Sequence, residues 1–172
     1  MADLYRAPIL VLVDMQPIYN ASHRVLDQVE QELSLALSEQ WHIVALMWQG
    51  KGPIYGRLLK MMQRSSTRFV LRRKNNKDGS PEVLHALQSK GWQAERFRIV
   101  GVNTHQCVQA TTIGLADKLP QIPVEVLTNA CAGPTANDWS KFPERENLTL
   151  VSRISHPLQL SILRAAAHST VA

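Results

Sequence analysis

Short, uniformly apolar runs recur along this chain, and each is followed by a longer segment of mixed polarity. The first run, residues 9–13, contains only aliphatic residues, as do parallel strands that are buried on both faces. Residues 24–38 then carry apolar side chains at helical spacing. The same alternation predicts strands at 42–48, 69–71, 98–101, 124–127 and 148–151, and helices at 55–62, 80–89, 106–118 and 158–167. This pattern indicates an α/β, Rossmann-like doubly wound sheet of about six parallel strands, with helices on both faces.

The composition is that of a globular protein, and the 172 residues suit a single domain spanning 1–172. The net charge of +5 could attract an anionic ligand or a nucleic acid, but scattered surface cations are the simpler explanation. Two cysteines, Cys107 and Cys131, are too few for a disulfide framework. The apolar run at 9–13 is too short for a signal sequence or a membrane span. We therefore expect a reduced, cytoplasmic protein that binds neither a membrane nor a nucleic acid.

Three chemically capable residues follow predicted strands. Asp14 ends the first strand, Lys74 follows the third, and Cys107 follows the fourth, where a loop turns into a helix. In an open α/β sheet, ligands bind beyond the carboxyl ends of the strands, where the strand order reverses. We expect the three side chains to face this rim.

Each of these residues also has a structural interpretation. Cys107 could be a small buried hydrophobe, or a thiolate whose pKa is lowered by the helix N-terminus. Asp14 could be a cap or turn residue, or the carboxylate that orients or deprotonates the thiol. Lys74 belongs to a basic cluster that could be a solvated edge, or it could favour the charged forms of a nearby thiolate and carboxylate. Cys131 lies among small residues and is expected to be structural.

Two segments resemble a known family. Residues 11–16 read VLVDMQ, a strand ending in Asp-x-Gln. Residues 101–111 read GVNTHQCVQAT, which matches the pattern Gly-Val-x-Thr-x-x-Cys-Val-x-Ala-Thr at every specified position. In this order, and after the expected strands, the two segments resemble the isochorismatase-like cysteine hydrolases, and the strand pattern agrees over most of the chain.

The resemblance implies an Asp-Lys-Cys triad. Asp14 would be the general base, Lys74 the supporting cation, and Cys107 the nucleophile that forms a covalent intermediate later released by water. It also implies a cis peptide bond at Val102–Asn103, a costly geometry outside proline. The N–H groups of Asn103 and Cys107 would then form the oxyanion hole.

The sequence departs from the family in three places. The stretch after Lys74 is shorter and lacks an aromatic residue, which leaves Lys77 as an alternative, although Lys74 lies nearer the strand end. Nicotinamidases of the superfamily bind a metal through Asp-x-His and a further histidine after the second strand, but residues 48–52 provide neither, so we expect no metal or other cofactor. Finally, His105 stands where relatives often carry an acid. It could contact the substrate or lie at the surface.

The substrate is less well specified. Gln16, Tyr19, Trp48 and Tyr55, with His105, are candidate pocket residues that suit a small planar or apolar group, although the aromatic ones could equally belong to the core. The resemblance also implies a homodimer or larger homo-oligomer.

Three functions remain open at this point. The first is a hydrolase of a small amide or imide C–N bond, with cleavage of an isochorismate-like vinyl ether as a lesser variant because that branch does not need the cysteine. The second is a catalytically silent scaffold that binds a small ligand or a protein partner, which a thiol of ordinary, high pKa would favour. The third is a nucleic-acid-binding domain using the basic run at 68–77, which lacks interleaved aromatic residues.

Overall fold

The structure, a computed structural model, describes residues 6–152. Its sheet has the strand order β3-β2-β1-β4-β5-β6, with every neighbouring pair parallel. The strands are β1 (Arg6–Val13), β2 (His42–Trp48), β3 (Phe69–Lys74), β4 (Gln93–Val102), β5 (Val124–Ala132) and β6 (Leu148–Val151). The helices are α1 (His23–Ser38), α2 (Gly56–Gln63), α3 (Ser80–Lys90) and α4 (Gln109–Lys118), and a π-helical turn, Thr104–Val108, leads into α4. The predicted doubly wound sheet is therefore confirmed.

Helices cover both faces of this sheet, and each face has its own apolar layer. In β1, Leu10 and Leu12 face the layer that contains α1 and α2. Ile9, Val11 and Val13 face the layer that contains α3 and α4. All five side chains are fully buried, because successive residues of a strand point to opposite faces and here both faces are covered.

The strand order reverses between β1 and β4, which lie side by side at the centre of the sheet. Gly101 of β4 is paired with Val13 of β1. It has a φ of 149°, and a Cβ atom there would collide with the Val13 carbonyl oxygen. Only glycine allows this close approach, which sets where the chain leaves β4 for the Thr104–Val108 turn.

Some expectations about the chain extend past the structure. The predicted closing helix at 158–167 lies outside the described residues, and the assignment of 1–172 to one domain stays a prediction. No helix described between residues 6 and 152 is long and apolar enough to span a membrane.

Candidate active site

The structure brings Asp14, Lys74 and Cys107 together at the carboxyl ends of the strands. Lys74 Nζ lies 2.8 Å from Asp14 Oδ2, and neither side chain has any solvent exposure. The Cys107 thiol, in the turn between β4 and α4, is also buried and interacts with both charged groups. Asp14 itself has a positive φ of 51°, a strained conformation of the kind that is often found at functional sites. We call Asp14, Lys74 and Cys107 the reactive cluster.

Electrostatics at this cluster favour a protonated thiol. Burial, followed by the neighbouring Asp14 charge, raises the pKa of Cys107 to about 11, although Lys74 opposes this rise. Of the two interpretations of Cys107 that the sequence left open, the raised pKa disagrees with a thiolate of lowered pKa, because desolvation disfavours the charged form. Burial also raises the pKa of Asp14, even though Lys74, the thiol and the Trp48 backbone act to lower it. Lys74, the Cys107 thiol and the Trp48 backbone all interact with this carboxylate, so the carboxylate and the thiol lie in direct contact.

The geometry favours Lys74 over Lys77 as the cation. Lys74 Nζ donates a hydrogen bond to the Asn76 carbonyl at 3.1 Å and lies 4.4 Å from the centroid of the Trp48 ring. Such a cation–π contact stabilises the ammonium. Lys77 is exposed, and its carbonyl accepts a hydrogen bond from Thr111. Trp48, from the end of β2, therefore supplies the aromatic contact that the short segment after Lys74 lacks.

Gln16 holds Trp48 in place and does not line an opening. It is fully buried; its Nε2 donates to the carbonyls of Trp48 and Gly52 at 3.1 and 2.6 Å. Its Oε1 accepts from the Trp48 N–H at 2.8 Å. Because both ends of the amide are engaged by the backbone, the structure gives Gln16 a positioning role, where the sequence suggested a pocket residue.

The turn before Cys107 is made differently from the expected geometry. All peptide bonds among the described residues are trans, so the predicted cis bond at Val102–Asn103 is wrong. Instead, Asn103 takes a left-handed conformation with a φ of 62°, which asparagine tolerates better than most residues. Its carbonyl accepts hydrogen bonds from the N–H groups of Gln106 and Val108. The assignment of the Asn103 and Cys107 N–H groups to an oxyanion hole stays a prediction.

The other candidate pocket residues lie at different distances from the cluster. Burial, with the charges of Asp14 and Cys107, raises the pKa of Tyr19, so its half-buried phenol is near the reactive cluster. Tyr55 packs mainly against the α1 and α2 layer. His105 Nε2 accepts a hydrogen bond from the Asp138 N–H at 3.0 Å, which ties it to the segment after β5.

The sequence analysis missed Thr104. Its side chain is fully buried three residues before Cys107, and its hydroxyl has no hydrogen-bond partner among residues 6–152. The available signal was its specified position in the Gly-Val-x-Thr pattern.

Within residues 6–152, no group of three or more His, Cys, Asp or Glu side chains could hold a metal ion, and the expectation of a metal-free reaction stays a prediction.

Comparisons with known proteins agree on the fold. No family model matches the sequence, and no curated protein matches it either. N-carbamoylsarcosine amidase from Thermoplasma acidophilum superimposes with a TM-score of 0.68 and 15% identity, over 87% of this chain and 99% of that one. A nicotinamidase from Staphylococcus aureus gives 0.62 and 19%, over 74% and 85%. The YcaC gene product of Escherichia coli, described as an octameric hydrolase of unknown specificity, gives 0.60 and 18%, over 73% and 63%. At such identities the similarity shows the fold alone, and the fold that the resemblance implied is confirmed.

Proposed function

We propose that this protein is a cysteine-dependent, metal-independent hydrolase that cleaves an amide- or imide-type C–N bond of a small molecule. The observation that carries the proposal is the fully buried Asp14–Lys74 ion pair, 2.8 Å between Nζ and Oδ2, beside the Cys107 thiol. Buried charges are costly to a fold, and buried groups with perturbed pKa values cluster at active sites. The amidase and nicotinamidase that share this fold support a C–N substrate.

In this reaction, Asp14 takes the proton of the Cys107 thiol as the sulfur attacks the carbonyl carbon. Lys74 stabilises the sulfur's negative charge, and the N–H groups of Asn103 and Cys107 stabilise the tetrahedral oxyanion. The C–N bond breaks when Asp14 returns its proton to the leaving nitrogen, which leaves a thioester on Cys107. Asp14 then deprotonates a water molecule that attacks the thioester. As the thioester C–S bond breaks, Asp14 returns this proton to the Cys107 sulfur, which restores the thiol. The products are the amine released in the first half-reaction and the free acid.

The substrate pocket, the assembly and the cellular location complete the proposed function. Tyr19, Trp48, Tyr55 and His105 are proposed to border a small planar substrate. A homodimer or larger homo-oligomer is proposed, in keeping with YcaC, which is described as an octamer. We also propose a cytoplasmic location, since the two cysteines are both free thiols.

The direct test is turnover of a panel of small amides, ureido acids and cyclic imides, with nicotinamide included. Release of the acid is measured together with the intact mass of the protein, because a covalent acyl group on Cys107 adds a defined mass. Cys107→Ala should abolish both signals. Cys131→Ala is the matched control, since Cys131 is also a buried free thiol, and it should retain activity within about threefold. Full activity in Cys107→Ala would overturn the proposal.

A catalytically silent scaffold is the second candidate, and the high pKa of the Cys107 thiol favours it. It predicts that small amides raise the melting temperature of the protein without being hydrolysed and without leaving an adduct. Stabilisation by a ligand that disappears equally in Asp14→Asn and Cys107→Ala, with no turnover by the native protein, would support the scaffold over the hydrolase.

A further inference from the structure

Charge is unevenly distributed along the chain. Residues 40–77 contain nine of the 19 lysines and arginines and none of the 14 acids. The rest of the chain therefore has more acids than lysines and arginines. Because nine of the 19 lysines and arginines lie in 38 of the 172 residues and no acid lies among them, this stretch, which spans β2, α2 and β3, produces a local positive field.

Most of these cations are not neutralised by the fold. Arg57 pairs with Asp27 and Glu30 of α1, and Lys74 pairs with Asp14. The other seven form no ion pair with any residue between 6 and 152: Lys51, Lys60, Arg64, Arg68, Arg72, Arg73 and Lys77. Their charge is therefore available to a partner.

The same region contains an unpaired strand edge. β3 is the first strand in the sheet order, and within the described part of the chain it pairs only with β2. Leu71, which is 39% exposed, and Arg73, which is also exposed, lie two residues apart on it. Residues with this spacing point to the same face of a strand. That face is opposite to the one that carries the Lys74 side chain.

An apolar groove of about 480 Å³ runs beside this edge. Its apolar walls come from β2, the segment after it, α2 and β3, and are formed by Met47, Ile54, Leu59 and Leu71. Arg73 also lines it. Lys51 is exposed between two glycines of the lining, Gly50 and Gly52. Apolar walls with cations at the rim suit a ligand that is both apolar and anionic.

We propose that the β3 edge binds an extended acidic peptide segment of a partner protein. The segment adds as a strand alongside β3, and every second residue of it faces the groove. Among these residues, apolar side chains enter the groove beside Leu71, and carboxylates pair with Arg73 and with the exposed Lys51. Strand addition provides backbone hydrogen bonds, and pockets for alternate side chains provide specificity. Charge complementarity adds to the association rate.

A nucleic acid is the less suitable occupant. Single-stranded nucleic acids bind through aromatic platforms as well as cations, and no aromatic residue among those described, 6–152, lines the groove. Phe69 packs against the α1 and α2 layer, and Trp48 packs against the other layer with its ring at Lys74. A phosphate backbone also makes no use of an apolar groove.

The test measures fluorescence anisotropy of a labelled peptide of about twelve residues in which every second residue is alternately leucine or glutamate and the residues between them are threonine, so that both side-chain types lie on one face of the strand. A peptide with lysine in place of glutamate, one with all glutamates before all leucines, and a single-stranded DNA oligonucleotide of matching charge serve as comparison probes. The double variant Lys51→Glu/Arg73→Glu replaces the two cations beside the groove with acids. The matched control is Arg24→Glu/Lys90→Glu, which makes the same change in net charge at exposed cations outside residues 40–77.

Binding of the acidic peptide should be saturable, and its affinity should fall as salt is added. Lys51→Glu/Arg73→Glu should lower the affinity for this peptide at least tenfold, and the control variant should lower it by no more than about twofold. Leu71→Asp should also lower the affinity, without changing the circular dichroism spectrum of the protein. Absence of saturable binding would overturn the proposal. So would equal losses in the two double variants, indifference to the order of residues in the peptide, or tighter binding of the oligonucleotide.

Discussion

The proton of Cys107 is held by burial and by the adjacent Asp14 charge, which raise the thiol pKa to about 11, while Lys74 acts in the opposite direction. Removing the carboxylate charge should therefore lower the pKa, and removing the ammonium should raise it. We expect Asp14→Asn and Lys74→Ala to move the midpoint of Cys107 alkylation in these opposite directions, each by about 1–3 pH units, the usual effect of a charge at this range.

The measurement is the rate of iodoacetamide alkylation at each cysteine from pH 6 to 11, read by mass spectrometry of peptides. Below the midpoint the rate follows the thiolate fraction, so at a given pH Cys107 should react faster in Asp14→Asn and more slowly in Lys74→Ala than in the native protein. Cys131, whose pKa burial raises to about 12, is the internal control and should react more slowly at every pH. A midpoint for Cys107 below the ordinary thiol value of ~8.5 in the native protein would contradict the electrostatic account, and so would shifts of the same sign in both variants.

At the scale of single residues, the sequence was sufficient to identify the members of the reactive cluster but not to predict the pKa of its thiol or the contacts around it. Asp14, Lys74 and Cys107 follow separate strands, and parallel strands deliver such residues to one edge. The pKa of Cys107 depends on how deeply the folded protein buries the thiol, which a local sequence pattern does not indicate. The link from Gln16 to Trp48 joins residues 32 positions apart, so no local spacing indicated that Gln16 orients Trp48.

At the scale of the elements, β4 carries a buried ion-pair network that joins it to α1 and β5. Arg98 is buried, yet its guanidinium donates to Glu32 of α1 at 2.6 Å and to Glu125 of β5 at 2.9 Å. Arg98→Ala would leave the buried Glu32 carboxylate without its cation, a change that typically costs about 3–5 kcal/mol. We expect a loss of this size in the free energy of unfolding, measured by urea denaturation at pH 7.

The matched control is Arg96→Ala, two residues earlier on the same strand. Both guanidinium groups lie over the Trp41 ring, but within residues 6–152 Arg96 forms an ion pair only with the exposed Glu95, at 3.5 Å. Pairs of this kind contribute about 0–1 kcal/mol. If the two variants lost equal stability, packing on Trp41 would explain both effects, and the buried ion pairs would contribute nothing distinctive.

The lengths of these strands were harder to predict than their existence. β4 starts at Gln93, five residues before the predicted strand, and β5 continues to Ala132 rather than stopping at Leu127. In both extensions polar or small residues interrupt the apolar run. They form strand because neighbouring strands continue beside them: Gln93 pairs with Arg6, and Cys131 with Gly101. Apolar runs mark the buried centre of a strand, whereas pairing partners, supplied by the fold, set its ends.

For the molecule as a whole, the sheet order explains why two different sites can coexist. The reversal between β1 and β4 gathers the reactive cluster at the centre of the sheet, while β3 is left as an outer strand with its cations and its groove. The doubly wound architecture could be predicted from apolar runs alone. The groove could not, because it depends on how the segment after β2 packs over β3.

Burial of both thiols also makes global stability depend on pH, since the folded state holds these protons more tightly than the unfolded chain. Burial raises the pKa of Cys131 from 9.0 to about 12. Its contribution to stability is therefore complete below pH 9 and is lost as the pH rises towards 12, where the unfolded chain ionises first. Between pH 8 and 10.5 this one thiol should remove about 2 kcal/mol from the free energy of unfolding. Between these two pH values the free energy of unfolding should therefore fall by about 2 kcal/mol less in Cys131→Ala than in the native protein. Urea denaturation at both pH values measures the two losses. Parallel losses in the two proteins would mean that Cys131 ionises as easily in the folded state as in the unfolded chain, and that solvent reaches the interface between β4 and β5.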